Sequence, residues 1–276
     1  MSEHADARTL LAKYGLRAKK AWSQNFLVDE RAFREIVHAC QLGPGDWAIE
    51  IGAGLGTLTA RLGAAAAHVV AIEPERDMLS VLHGELAAND KIEVVAADAL
   101  AFDYAAVAAR AGRPPVVVGN LPYAITSPLL FRLFEQRHAI ARIVVMVQKE
   151  MADRIVAAPS TKEYGALSVM VRLYGEPKLV TKVRAGSFVP APRVDSAVVR
   201  IVPRAQLMAG VDEARFSKVV HAAFNQRRKT LRNALSAAFD VGAVDRALAT
   251  AAVDGQRRGE TLSVDEFGRL SEALHA

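Results

Sequence analysis

The chain has 276 residues, of which 51% are hydrophobic and 24% are charged, a composition that excludes a disordered protein and is typical of a folded globular one. The formal net charge is +5 and the pI is about 9.4, which suits an anionic partner without requiring one. No uninterrupted apolar run approaches the roughly 18 residues of a membrane-spanning helix. We therefore expect one large domain, or a medium domain followed by a small one, and no contact with a membrane.

The N-terminal part of the chain is basic but does not resemble an export signal. The opening MSEHADART lacks a basic stretch followed by an apolar one, so no secretion signal is expected. Cys40 is the single cysteine, which rules out a disulfide within the chain or a cysteine metal cluster and fits a reducing cytoplasm. Its helical spacing with Phe33 and Ile36 predicts core packing. Four cations without an acid follow MSEHADART, at Lys13, Arg17, Lys19 and Lys20.

From about residue 45, short apolar runs alternate with stretches of helical periodicity. Strands separated by helices in this way are typical of βαβ units in a mostly parallel, doubly wound sheet. The sequence therefore predicts an α/β, Rossmann-like fold. The predicted strands are residues 47–51, 68–72, 92–96, 116–120, 142–148 and 197–202.

Beyond residue 205 the strand pattern stops and three helical stretches follow, the last beginning with Ser263 and Glu266 at capping-box spacing. We expect a Rossmann-like domain with the basic N-terminal segment over residues 1–205, and a helical domain over residues 206–276. The helical part contains NQRRKTLRN, which is either a phosphate-binding surface or only a solvated helix face. The cations of this stretch are Arg227, Arg228, Lys229 and Arg232.

A glycine-rich loop joins the first predicted strand of the sheet to the next helix. Gly52, Gly54 and Gly56 follow WAIEI directly, and glycines at such a turn let the backbone and the helix N-terminus approach a ligand. The spacing differs from the dinucleotide fingerprint, because Thr57 stands where that motif needs glycine. By itself this loop is weak support for a binding site.

Two acids at the ends of the next two strands strengthen the prediction of a site. Glu73 ends the second strand, about 20 residues after the glycine loop, where a carboxylate can accept hydrogen bonds from both hydroxyls of a ribose. Asp98 occupies the equivalent place one strand further along. An acid there often only caps a helix. Together with the glycine loop, however, both acids lie at the carboxyl edge of one sheet, where α/β proteins bind ligands.

The segment VVVGNLPY, residues 116–123, ends a predicted buried strand with an amide, a proline and a phenol. A strand-ending turn is one interpretation, because Asn and Pro both punctuate secondary structure. The other interpretation is that the strand ends there to present these groups to a substrate.

In the order EIGAGLGTLT, AIE, AAD and NLPY, the chain resembles S-adenosylmethionine-dependent methyltransferases that act on an amino nitrogen. It is most similar to the ribosomal RNA adenine N6-dimethyltransferases, specifically the small-subunit, kasugamycin-resistance type. The resemblance extends from about residue 12 to the C-terminus, with one small departure at Gly259, where the family has alanine. The supporting segments are QNFLVDE, NLPYAITSPLL, VQKEMADRI, FVPAPRVDSAVVRI and FNQRRKTLRN.

The resemblance implies an enzyme that uses S-adenosylmethionine and no metal, with a helical domain that helps to grip RNA. Its substrate would be the N6 amines of two adjacent adenosines near the 3′ end of small-subunit (16S) rRNA, in an assembling 30S particle. We expect a cytoplasmic monomer with a role in small-subunit biogenesis. The cofactor residues that the resemblance implies are Asn25, Leu27, Gly52, Glu73, Asp98 and Asn120.

Under this resemblance, the NLPY segment has a chemical explanation. An adenine amine is a poor nucleophile because its lone pair is delocalised, so two acceptors on its N–H bonds would hold it pyramidal and disperse developing charge. Asn120 offers its side-chain carbonyl and Leu121 its backbone carbonyl. Pro122 fixes the chain direction, and Tyr123 offers a face on which an extruded base can stack. Phe188 is either a second stacking surface or a core residue beside a proline-rich turn.

Three rivals remain open from the sequence. The large-subunit adenine methyltransferases that confer macrolide resistance share the catalytic motifs but match FVPAPRVDSAVVRI and the helical tail less well. A ribosome-assembly or transcription factor could keep the fold for binding alone, although it would not need an intact cofactor pocket. A methyltransferase for DNA or a glutamine amide could use a similar loop, but it would leave the basic clusters without a purpose.

Overall fold

The structure is a computed structural model that describes residues 5–18, 24–122, 125–204, 206–207 and 211–274. The chain forms two compact units. The first comprises Met1–Ala152 and Lys178–Pro203, and the second comprises Asp153–Pro177 and Arg204–Ala276. Across these ranges, no helix combines the length and the apolar character that a membrane crossing requires.

The strands form one large sheet and one small ribbon. Among the described residues, seven strands make a sheet in the order β4-β3-β2-β5-β6-β9-β7, and two more form the antiparallel ribbon β1–β8. This arrangement confirms the predicted α/β, Rossmann-like fold. The strands are β1 Phe26–Leu27, β2 Trp47–Ile51, β3 His68–Ile72, β4 Ile92–Val95, β5 Val116–Asn120, β6 Arg142–Gln148, β7 Gly175–Val183, β8 Phe188–Val189 and β9 Ser196–Pro203.

The centre of the large sheet is parallel and buried. β4, β3, β2, β5 and β6 run parallel, and β9 runs antiparallel to β6. The central strands β2, β3, β5 and β6 are buried along nearly their whole length, which is why their sequences are continuous apolar runs and do not alternate. The carboxyl ends of the parallel strands meet at one edge, so the loops that follow them lie close together.

Short polar caps fix where several helices begin. The Asp29 carboxylate accepts hydrogen bonds from the first turn of α2, and Asp103 does the same for α5. The helices of the described residues are α1 Ala7–Lys13, α2 Glu30–Cys40, α3 Thr57–Ala65, α4 Arg76–Leu86, α5 Tyr104–Ala111, α6 Thr126–Glu135, α7 Lys149–Val156, α8 Ala166–Tyr174, α9 Glu213–Asn225, α10 Leu231–Leu235, α11 Val241–Thr250 and α12 Val264–Ala273.

Gly119 explains why the buried strand VVVGN contains a glycine. It pairs with Ile51 across β2 and β5, and a Cβ at this position would lie 2.7 Å from the Ile51 carbonyl oxygen. Real Cβ atoms do not approach an oxygen so closely, so only glycine lets the two strands pair here. This close pairing sets the position of the next residue, Asn120, at the end of β5.

The second unit is helical and has an aromatic core. Tyr164 is fully buried, donates its hydroxyl to the Leu262 carbonyl at 2.8 Å, and lies edge-on to Phe224 of α9. The capping box predicted at Ser263 and Glu266 is present at the start of α12. These contacts group residues 153–177 with the C-terminal helices.

The observed division therefore differs from the sequence-predicted boundary at residue 205, which assigned residues 153–177 to the first domain. The physical reason is that α8 packs against α9 and α12, which are far away in sequence. Gly259 belongs to the same packing, because a Cβ there would lie 3.1 Å from both the Cβ and the carbonyl oxygen of Ala223. The departure from alanine at this position therefore allows close approach to α9.

Candidate active site

A cavity lies in the first unit at the carboxyl edge of the parallel strands. Residues from the glycine loop, from the ends of β3 and β5, from the loop after β4 and from β1 form its wall. The structure thus brings together residues that are distant in sequence. All six residues predicted for the cofactor line this one cavity, and they are Asn25, Leu27, Gly52, Glu73, Asp98 and Asn120.

The glycine loop is fastened to the end of β3 through Glu73. The Gly54 N–H donates to Glu73 Oε2 at 2.9 Å, and the Glu75 N–H donates to Oε1 at 3.0 Å. Burial raises the pKa of Glu73, and these two hydrogen bonds oppose the rise. Gly52 and Gly54 both have positive φ, at 71° and 56°, which a residue with a side chain adopts only with strain. Each Glu73 oxygen can still accept one further hydrogen bond.

Asp98 follows β4 and is exposed at the wall of the cavity. Its Oδ1 accepts a hydrogen bond from the Leu100 N–H at 2.9 Å. The side chain therefore closes a turn and also presents a carboxylate to the cavity, whereas the next helix, α5, is capped by Asp103. The two roles are compatible because a carboxylate has several acceptor sites.

Asn120 ends β5 and is half-buried at the cavity wall. Its Nδ2 donates to the backbone carbonyl of Asn25 at 3.1 Å, which leaves Oδ1 as the acceptor that can face a ligand. The next residue, Leu121, donates its N–H to the Met146 carbonyl at 3.0 Å. Its own carbonyl has no partner among the residues that the structure describes. Two acceptors on adjacent residues are thus available at the cavity.

Pro122 lies shortly before the start of α6. The Pro122 carbonyl accepts from the Ile125 N–H and from the Thr126 hydroxyl, both at 3.2 Å, so it is occupied by the helix start. Pro122 lines the cavity beside Asn120. Tyr123 lies outside the described residues, so its predicted stacking role stays a prediction.

Residues 24–27 lie across the glycine loop and the ends of β3 and β5. The Gln24 side-chain amide donates to the Glu75 carboxylate, and the Asn25 carbonyl accepts from Asn120. The Phe26 ring lies against Gly54, where an added Cβ would meet it at 3.3 Å. Phe26 is half-buried and lines the cavity.

Phe188 does not line the cavity. Its side chain is only 4% exposed and packs in the apolar cluster that contains Leu27, to which it is paired across the β1–β8 ribbon. The structure therefore does not present this ring as a stacking surface, and the core interpretation describes its position. The physical reason is the ribbon, because the alternation of side chains along β8 directs Phe188 inward.

Glu50 is a cavity residue that the sequence analysis did not single out. It lies in the buried strand β2, is 3% exposed, and has an Oε2 atom without a hydrogen-bond partner in the described part of the chain. Burial raises the pKa of Glu50 to about 8, the nearby Thr59 hydroxyl opposes this rise, and the Glu73 charge adds to it. An acid inside the apolar run WAIEI was the available signal. Such a group is suited to a cationic ligand.

The basic stretch predicted at residues 227–232 lies in the second unit and is divided by its contacts. Arg232 is not free, because its guanidinium forms a two-bond ion pair with Asp245 at 2.6 and 2.7 Å. Arg227 donates to two backbone carbonyls at 3.2 Å, so it partly serves the fold of this unit. The cations that are exposed and form no ion pair with a described residue are Arg228 and Lys229.

The N-terminal basic segment is likewise partly engaged. Lys13 and the Tyr14 hydroxyl both donate to the Glu85 carboxylate, at 2.6 and 2.7 Å, and so hold α1 against α4. Arg17 is exposed. The predicted cations Lys19 and Lys20 lie outside the described residues.

Comparison with known proteins gives consistent results along nearly the whole chain. A family model described as ribosomal RNA adenine dimethylase matches residues 15–276. A protein of Moorella thermoacetica named ribosomal RNA small subunit methyltransferase A is 46% identical over 274 residues, which cover 96% of this chain and 95% of that protein. A protein of the same name from Anaeromyxobacter sp. (strain K) is 45% identical over 285 residues, covering 99% and 100% of the two chains.

Two solved structures are similar in fold and in sequence. A dimethyladenosine transferase from Plasmodium falciparum gives a TM-score of 0.76 at 25% identity, covering 88% of this chain and 95% of that one. The 23S rRNA methyltransferase ErmE gives a TM-score of 0.71 at 28% identity, covering 91% of this chain and 99% of that one.

Proposed function

The chain belongs to the ribosomal RNA adenine dimethylase family, and we propose that it transfers methyl groups from S-adenosylmethionine to the N6 amines of two adjacent adenosines near the 3′ end of 16S rRNA. The observation that carries this proposal is one cavity that combines the Glu73 carboxylate with two acceptors, at Asn120 and Leu121, to which no described residue donates. The substrate particle is an assembling 30S subunit, and the enzyme acts as a cytoplasmic monomer.

The residues of the cavity suit S-adenosylmethionine. Its ribose has two hydroxyls, and the Glu73 carboxylate can accept a hydrogen bond from each. The glycine loop lies beside Glu73, and its glycines have no side chains that would exclude the ligand. The sulfonium and the α-ammonium of the ligand are cationic, and the buried Glu50 carboxyl has an oxygen without a partner among the described residues that could face one of them. When bound, S-adenosylmethionine supplies an electrophilic methyl group on a positively charged sulfur.

The contribution of the chain to the reaction is to hold and polarise the amine. Asn120 Oδ1 and the Leu121 carbonyl each accept one N–H of the adenine amine, which directs its lone pair away from both acceptors. As positive charge develops on nitrogen, these two dipoles stabilise it more strongly than they stabilise the neutral amine. Because Asn120 Nδ2 donates to the Asn25 carbonyl, the Asn120 amide is oriented with Oδ1 toward the cavity before the substrate binds. No general acid or base is required.

The rivals are less well supported. Relatives named for the small subunit reach 46% identity, whereas ErmE, named for 23S rRNA, reaches 28%. A factor that only binds RNA would not need a carboxylate and an acceptor pair at one cavity. A methyltransferase acting on DNA or on a glutamine amide is disfavoured by the family match over residues 15–276.

The proposed function is tested by mapping methylated adenosines with mass spectrometry. Purified protein and labelled S-adenosylmethionine are incubated with 30S and 50S subunits from cells that lack the modification. We expect four methyl groups on two adjacent adenosines of 16S rRNA and none on 23S rRNA. Methylation of 23S rRNA alone would support the large-subunit rival, and no transfer to either RNA would contradict the proposal.

Glu73→Ala is expected to weaken S-adenosylmethionine binding about 10- to 150-fold, because the ribose hydroxyls lose a charge-assisted acceptor worth roughly 1.5–3 kcal/mol. Titration calorimetry on the purified variants measures this. Glu135→Ala serves as the control, since this side chain is 66% exposed on α6 outside the cavity wall. Unchanged affinity of the Glu73 variant would remove this residue from the cofactor site.

Replacing Arg228 and Lys229 by glutamine is expected to weaken 30S binding and to reduce the salt dependence of that binding, because two free cations no longer displace counterions. The matched control replaces Arg232 and Asp245 together, which removes a cation that is already neutralised. Binding is measured by filter retention at several salt concentrations. If both double variants change the salt slope equally, the distinction between free and engaged cations is wrong.

A further inference from the structure

A second group of cations lies in the first unit, at the side of the sheet where the cavity opens. We name Arg31, Lys182, Arg184 and Arg193 the edge patch. All four are exposed, and none forms an ion pair with another residue in the described ranges. In this respect they resemble Arg228 and Lys229, and they differ from the engaged Arg232.

Hydrogen bonds tie the segments of the edge patch into one surface. The Val28 N–H donates to the Ser187 carbonyl at 2.9 Å, which joins the start of α2 to the turn after β7. The Ala185 N–H donates to Asp195 Oδ1 at 2.9 Å, which joins the same turn to the start of β9. Arg31, Arg184 and Arg193 each lie within three residues of one of these bonds.

Strand register locates this surface relative to Asn120. Asn120 lies opposite Met146 on β6, and Met146 lies opposite Val198 on β9. The loop that carries Arg193 enters β9 at Ser196, so it lies two strands from Asn120 at the carboxyl edge. Adjacent strands are about 4.8 Å apart, which makes this lateral separation roughly 10 Å.

The acids of the same segments offset only part of the positive charge. The Asp29 carboxylate accepts from the Ser187 hydroxyl at 2.7 Å and from the first turn of α2, and these contacts hold its pKa below the usual range. Glu30 pairs with Arg61. Asp195 accepts from the Ala185 N–H. The donors to Asp29 and Asp195 are neutral, so both acids keep their negative charges, and the four cations of the edge patch leave a net charge of about +2 for an anionic partner.

An exposed apolar side chain lies next to the cations of the edge patch. Val194, directly after Arg193, is 46% exposed and is one of three large hydrophobic side chains that are exposed in the described part of the chain. Prolines at 190 and 192 restrict the chain before it. A surface of arginines with an apolar side chain among them suits a polymer that offers both phosphates and sugar or base faces.

We infer that the edge patch binds the phosphates of the RNA nucleotides that flank the target adenosines. This inference rests on the proposed function, because a base inserted at Asn120 brings its own strand across the neighbouring surface. Arginine forks bind phosphate oxygens in pairs, and Val194 contacts a sugar or base between them. The edge patch thus orients the strand at the cavity, whereas Arg228 and Lys229 lie in the other unit.

The test replaces all four edge-patch cations by glutamine and measures binding to unmethylated 30S subunits and to protein-free 16S rRNA across a range of salt concentrations. Each phosphate contact on a single strand contributes about −0.7 to the logarithmic salt slope, so the slope is expected to become shallower by up to about 3. Affinity at low salt is expected to fall at least tenfold, and S-adenosylmethionine affinity and melting temperature to stay unchanged.

The control variant replaces Lys91, an exposed cation at the opposite, amino edge of the sheet that forms no ion pair with a described residue, and is expected to keep the wild-type slope. An unchanged slope of the edge-patch variant on 30S subunits would overturn the inference. Loss of binding to 30S subunits with normal binding to protein-free rRNA would also overturn it and assign the surface to a ribosomal protein. If the wild-type protein methylates neither RNA, the proposed function fails first.

Discussion

Asn120→Ala is expected to lower the rate of methyl transfer by on the order of 10²-fold or more, while RNA affinity stays close to that of the wild type. The side-chain carbonyl accepts an N–H bond that is weak in the neutral amine and becomes strong as charge develops on nitrogen. Its removal therefore acts on the transition state. The Asn25 carbonyl loses its donor at the same time, which adds to the loss by freeing the neighbouring segment.

Single-turnover transfer with saturating RNA and cofactor isolates the chemical step for this variant. Asn89→Ala is the control, because its side chain accepts from Lys91 N–H at the opposite edge of the sheet. A wild-type rate for the Asn120 variant would show that the end of β5 is only a strand-ending turn. A loss confined to RNA affinity would instead make Asn120 a binding residue.

Glu50→Gln is expected to stabilise the protein without ligand and to weaken cofactor binding at least tenfold. The pKa of Glu50 rises from an ordinary value near 4.5 to about 8 on folding. At pH below 4.5 the group is protonated in both states and has no effect. Between pH 4.5 and 8 the unfolded chain loses the proton while the folded chain keeps it, so wild-type stability falls as pH rises.

The stability advantage of the Gln variant should therefore grow between about pH 5 and pH 8 and level off above that. Because each pKa unit corresponds to about 1.4 kcal/mol, the upper limit is several kcal/mol, or several degrees in melting temperature. Melting curves of both proteins across this range measure it. Parallel curves at all pH values would mean that Glu50 is ionised in the folded protein.

The same variant tests whether Glu50 meets a cationic ligand. A cation bound beside Glu50 stabilises the carboxylate, so the wild type should release protons on binding S-adenosylmethionine below pH 8. Calorimetry in two buffers of different ionisation enthalpy measures the release. The Gln variant should release fewer, and Glu163→Gln, at an exposed position of the second unit, should behave as wild type. Equal release and affinity in all three proteins would exclude contact with the ligand.

Local sequence patterns were sufficient to predict much of the fold and several of the cavity residues. Apolar runs predicted the central strands because a parallel strand buried on both faces is apolar at nearly every position. The acids Glu73 and Asp98 could be located because each directly follows such a run, and the parallel sheet brings strand ends together. Their ligand roles stay predictions, as do those of the other cavity residues.

Other features could not be read from the sequence, because they depend on partners far along the chain. The ribbon β1–β8 joins two-residue strands about 160 positions apart, too short for any periodicity, and it turns Phe188 into the core. No acid lies next to Arg232 in the sequence, so it was expected to be unpaired. In the structure, Asp245 on α11 forms an ion pair with it. The grouping of residues 153–177 with the C-terminal helices depends likewise on packing between α8 and α9.

The sequence by itself determined the fold class, the carboxyl edge as the place of the site, and the chemical groups at the end of β5, because these follow from hydrophobic pattern and residue type. Only the tertiary structure decided which of those groups are available. Asn120 is held by Asn25 with one acceptor facing the cavity, and Glu50 is desolvated within the sheet. Hydrogen-bond partners and burial fix the orientation and charge of a side chain, and both arise only when distant segments pack together.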